Sequence, residues 1–139
     1  FGSQSPAQPQ APVRPGEQAV EPPHAPKSVG SGELEELLDR ERLVLVDFWA
    51  PWCGPCVMMS DALRRVARDT GATCQVAKVN TMKHESVAKA HGVKGLPTLI
   101  IFEEGKEAER HAGALSYPEL RSMIERYEAE QPPFPEGAA

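Results

Sequence analysis

The alternation of apolar and polar positions divides the middle of the chain into short segments of different period. In "SGELEELLDRER", Leu34, Leu37 and Leu38 recur at helical spacing among charged residues, and Ser31 stands where an N-cap is expected. "LVLVDFW" (43–49) is a short continuous apolar run, the pattern of a strand buried on both faces. From about Pro55 to Asp69 the period returns to helical, with Met59, Leu63 and Val66 on one face. "CQVAKVN" (74–80) predicts a second strand, and "ESVAKAHG" a short helix stopped by Gly92.

"TLIIFEEGKEAERHAGA" then predicts a hairpin, two strands about a Glu104-Gly105 turn. The last helix opens at "SYPE", with Ser116 as N-cap, Pro118 in the first turn and Glu119 completing a capping box. Leu120, Met123, Ile124 and Tyr127 supply its apolar face. The order α-β-α-β-α-β-β-α predicts parallel pairing of the first two strands and an antiparallel hairpin at one edge. The expected fold is α/β, a mixed sheet of four to five strands with helices on both faces.

The flanks read differently. Residues 1–27 hold seven of the fourteen prolines and no aliphatic cluster, so they cannot bury enough apolar surface to offset their ordering entropy. They are expected to form a disordered tether, residues 28–130 the domain, and 131–139 a disordered tail. The chain begins with Phe1 rather than Met, which suggests a processed or shortened form, from which any targeting segment would already be gone. A length of 139 residues suits one domain, and a hydrophobic share of 40% suffices for a core. The net charge of −5 argues against nucleic acid as partner, since phosphate binding requires clustered Lys and Arg. No run of eighteen apolar residues occurs, so no segment has the pattern of a membrane-spanning helix.

Three cysteines, Cys53, Cys56 and Cys74, are too few for a disulfide scaffold. Cys53 and Cys56 stand three apart in "WCGPC", open to three readings. Structural zinc needs two further ligands, and neither Cys74 nor His24, His84, His91 or His111 lies at ligand spacing. A structural disulfide closing so short a loop constrains the unfolded chain little. A catalytic thiol couple explains the placement, because the pair sits where a buried strand hands over to a helix. Cys53 then lies at the helix N-terminus, where the dipole and free N–H groups favour thiolate, the nucleophile of disulfide exchange. Gly54 and Pro55 let the turn enter the helix, and Cys56, one turn further in, can resolve a mixed disulfide. Cys74 reads as a small buried hydrophobe.

"DFWAPWCGPC" resembles the active-site segment of the thioredoxin family, and "VAKVN" (76–80), "GVKGLPTLIIFEEGK" (92–106) and "HAGALS" (111–116) follow in the family's order and spacing. The resemblance covers residues 28–130. It implies a protein-disulfide reductase, with Cys53 attacking, Cys56 resolving and the Gly54-Pro55 spacer associated with reduction. It further implies that Trp52 shields the pair and helps dock partners, and that Trp49 supports the site from beneath. Asp47 would be a buried carboxylate exchanging a proton with Cys56, and Lys78 its charge partner; the other reading of each is a solvated strand-end charge. Pro97 would be a cis-proline facing the disulfide, with Leu96 and Thr98 offering backbone groups to a substrate strand and Gly113 shaping the same edge.

Implied partners are disulfide-containing proteins and a thioredoxin reductase or other thiol donor, acting on a monomer with no bound cofactor or metal. Val57 and Asp61 depart from the family, which commonly has a basic residue and a proline there, and this bears on partner choice. Two rivals remain: a thioredoxin-fold chaperone or binding module, and a tethered extracytoplasmic reductase with one substrate. A cytoplasmic location is the family default.

Overall fold

The computed structural model describes residues 24–128. Nine elements follow in order: β1 (Lys27–Ser28), α1 (Ser31–Arg40), β2 (Leu43–Trp49), α2 (Gly54–Thr70), β3 (Gln75–Asn80), α3 (Glu85–Ala90), β4 (Thr98–Glu103), β5 (Lys106–Ala112) and α4 (Tyr117–Glu128). The strands form one sheet in the order β1-β3-β2-β4-β5. β2 and β3 are parallel, as the βαβ pattern requires, while β4 is antiparallel to both β2 and β5.

Because side chains alternate along a strand, β2 feeds two cores at once. Leu43 and Leu45 face α2 and α4, packing with Met59, Leu63, Val66, Leu120, Met123 and Ile124. Val44, Val46 and Phe48 face α1 and α3, packing with Leu34, Leu37, Val87 and Ala88. This two-sided burial is why 43–49 is an unbroken apolar run. The same alternation puts Asp47, between Leu45 and Trp49, on the α2 side of the sheet.

The hairpin turn forms at Glu104 and Gly105, both with positive φ (52° and 83°), the backbone that matches a tight turn to the strand twist. Gly92 stops α3 with φ 67°. The Ser116 amide donates to Glu119 Oε1 (2.9 Å) and the Glu119 amide returns to Ser116 Oγ (3.3 Å), so the capping box is formed.

Two expectations are corrected. Ser31 lies inside α1 and the N-cap is Gly30, whose amide donates to the Glu33 carboxylate at 2.9 Å. The first strand is β1, which begins within the stretch read as tether: Lys27 pairs with Ala77 and Ser28 with Lys78. Two residues carry no periodicity, so the pattern could not reveal it. His24 also packs on the end of α2, where a Cβ on Gly71 would come within 2.1 Å of its ring. Residues 1–23 of the stretch read as a tether, and residues 131–139 read as a tail, lie outside the described residues. Deleting residues 1–27 is accordingly expected to lower the melting temperature by about 4–8 °C, the scale of a loss near 1 kcal/mol in a small domain. Deleting only 1–23 should leave it within about 2 °C, as calorimetry of both truncations would show.

Candidate active site

The site lies at the C-terminal end of β2, where the chain leaves the sheet through Ala50 and enters α2. Cys53 is the N-cap of that 17-residue helix, and its Sγ accepts the Cys56 amide N–H at 3.2 Å. Cys53 and Cys56 are disulfide-bonded, with Cα atoms 5.3 Å apart. A sulfur at this position receives a backbone N–H and faces the positive end of the helix dipole, both of which favour thiolate once the bond is reduced. Pro55 sits in the first turn, where its missing N–H costs nothing. A Cβ on Gly54 would meet no atom within 4 Å, so steric room does not demand glycine there.

The pair is nearly covered, Cys53 being 5% and Cys56 3% exposed. Ala50 is buried with them, and Trp49 and Leu96 pack against the cluster. Trp52 instead leaves 68% of its surface in solvent. Trp49 and Leu96 thus pack against the pair from the protein side, while Trp52, Val57 and Met58 form an exposed apolar rim.

Asp47 is 2% exposed, and its Oδ1 has no hydrogen-bond partner. Burial pushes its carboxyl up from 3.8 to about 7, with the charge of Lys78 pulling it partly back. The two residues are register partners on adjacent parallel strands, yet the Lys78 Nζ lies over the Trp49 ring, 4.4 Å from its centroid. Lys78 thus acts on Asp47 as a charge partner through its field, with the ammonium held over an aromatic face. Trp49 is fixed in turn, its carbonyl accepting the Thr81 amide (2.8 Å) and hydroxyl (3.1 Å).

Across from the cysteines, the Leu96–Pro97 peptide bond is cis. The Gly113 amide, at φ 108°, donates to the Pro97 carbonyl at 2.8 Å. Thr98 is buried and its hydroxyl donates to the Gly95 carbonyl at 2.6 Å. The structure thus gathers Cys53, Cys56, Trp49, Leu96 and Pro97 at one end of the sheet. Cys74 is buried beneath α2, and desolvation pushes its thiol up to about 12, the state of an inert packing residue.

A paired dithiol capping a helix at the end of a mixed five-stranded sheet defines a thiol–disulfide oxidoreductase. Comparison with known proteins agrees: the Thioredoxin family model matches residues 27–126, and the chain belongs to that family. It is similar to the thioredoxin of Synechocystis sp., 39% identical over 93 residues that span 67% of this chain and 87% of that one. Against the chloroplastic thioredoxin Y of rice, identity is 45% over 93 residues, 66% of this chain and 55% of the other. Among solved structures, a mutant thioredoxin from Halobacterium salinarum superposes with a TM-score of 0.72 at 34% identity, covering 78% of this chain and 96% of its own. The redox group is the protein's own cysteine pair, its activity is protein-disulfide reduction, and its substrates are disulfide-containing proteins.

Proposed function

We propose that Cys53 is the attacking thiol, Cys56 the resolving thiol and Asp47 the proton acceptor for Cys56, in a monomer recharged by a thioredoxin reductase or another thiol donor. The observation that carries the assignment is the N-cap position of the Cys53 sulfur, which accepts the Cys56 amide. The Cys53 thiolate attacks a target disulfide, forming a mixed disulfide and releasing the target's other sulfur as thiolate. Cys56 then gives its proton to the Asp47 carboxylate and attacks Cys53 Sγ. The second target sulfur leaves as thiolate, and two electrons have passed from the protein to the target. A carboxyl near 7 is suited to this, since a base poised close to ambient pH takes and releases a proton readily.

Docking would use the apolar rim of Trp52, Val57 and Met58, with the substrate backbone laid along Leu96, Pro97 and Thr98 as an added strand and Gly113 bordering it. The test is reduction of insulin by dithiothreitol with catalytic amounts of the protein. Marked acceleration is expected, and Cys53→Ser should abolish it. A rate no faster than the uncatalysed one would instead assign the groove to holding clients.

A further inference from the structure

The segment between α3 and β4, residues 91–97, has no regular structure yet carries Leu96 and Pro97. Its C-terminal end is held by the Gly113 amide and the Thr98 hydroxyl. Its N-terminal end is held from another element. Arg110, on the outer strand β5, donates from Nη2 to the His91 carbonyl (2.6 Å) and from Nη1 to the Gly92 carbonyl (3.2 Å). Glu107 fixes the other edge of the same guanidinium, accepting from Nε and Nη2 at 2.8 Å each.

The chemistry explains why an arginine is needed. The amides of His91, Gly92 and Val93 already bond the last-turn carbonyls of α3 (Val87, Lys89 and Ala88). Arg110 therefore serves the carbonyls just past the six-residue helix, those of His91 and Gly92, where a cation also meets its negative pole. A planar guanidinium can serve two carbonyls and one carboxylate at once, which a lysine ammonium cannot do with the same fixed geometry. The His91 ring is anchored from the other side, in contact with the rings of Phe48 (5.8 Å) and Phe102 (5.5 Å). The loop is therefore tied at its start to β5 and the core, and at its end to Gly113.

We propose that Arg110, oriented by Glu107, is a positioning residue that sets the Leu96–Thr98 edge for substrate pairing by clamping the start of the loop that carries it. The inference rests on the substrate-pairing role given to that edge above. An exposed clamp of this kind governs alignment more than stability, so its loss should appear in KM for a substrate with a backbone to pair.

Arg110→Ala is expected to raise KM for insulin by about threefold to tenfold, with kcat held within about twofold. Reduction of dithionitrobenzoate, a small aromatic disulfide with no peptide strand to align, should match the wild-type rate. Arg110→Lys should restore part of the KM, and Glu107→Gln should raise it in the same direction by less. An insulin KM within about twofold of wild type in Arg110→Ala would overturn the proposal. So would parallel losses toward both substrates, or failure of both position-110 variants to fold, since each makes Arg110 a residue of the fold alone. Inactivity of the wild-type protein toward insulin would count against the reductase reading instead, which keeps the two failures apart.

Discussion

Substituting serine for Cys56 is expected to turn a catalyst into a trap. In the proposed sequence of steps Cys53 needs no help from Cys56 to attack, because its sulfur caps α2 and is served by the Cys56 backbone amide, which a serine retains. What serine cannot supply is the second sulfur. The mixed disulfide between Cys53 and a target then has no intramolecular route to release, and multiple turnover should fall to the uncatalysed level while the first attack proceeds. Non-reducing gels of the variant with a protein disulfide should show a stable adduct, and mass spectrometry should place it on Cys53. Cys74 offers no alternative attachment point, being buried with a thiol near 12. Adducts formed by Cys53→Ser, and none by Cys56→Ser, would reverse the assigned roles.

The parts of this molecule that could be read from sequence are those where a period repeats. β2 was legible because burial on two faces leaves seven residues with one polar exception, and that exception, Asp47, marked itself by interrupting an apolar run. α2 and α4 were legible from the spacing of Met59, Leu63 and Val66 and of Leu120, Met123 and Ile124. β1 was not, because two residues held by the edge of β3 owe their conformation to a partner some fifty positions away. Lys78 was read as the charge partner of Asp47, but its contact with Trp49 depends on side-chain direction, which periodicity does not encode. Arg110 left no signal at all. On an exposed edge strand it looks like any solvated charge, and its carbonyl partners belong to a loop eighteen and nineteen residues away in sequence. The site residues came from motif and resemblance; what holds them in place came from the tertiary structure.

Replacing Asp47 by asparagine is expected to change stability and turnover in opposite directions, and both effects should depend on pH. The carboxyl titrates at about 7 in the oxidised fold against 3.8 ordinarily, because burial disfavours the charged form. The folded protein therefore binds more protons than the unfolded chain between those values, and stability falls as pH rises through them. The penalty is absent below 3.8 and fully present above about 7. The gap corresponds to about 4 kcal/mol. Asparagine removes the buried charge, but it leaves Lys78 without the opposing field. The net gain at pH 8 is therefore expected to be about 1–4 kcal/mol, shrinking towards zero at pH 4. Urea unfolding of both proteins at the two pH values measures it. Over the same range asparagine cannot accept the Cys56 proton, so release of a mixed disulfide at pH 7 should slow by about a hundredfold, the lower range for a lost general base. The deficit should narrow above about pH 9, where a thiol ionises unaided. Rapid-mixing measurement of target release separates that step from the initial attack by Cys53. Equal release rates for the two proteins from pH 6 to 9, taken as about the thiol titration range, would eliminate the proton-accepting role and leave Asp47 a stability cost with no catalytic return.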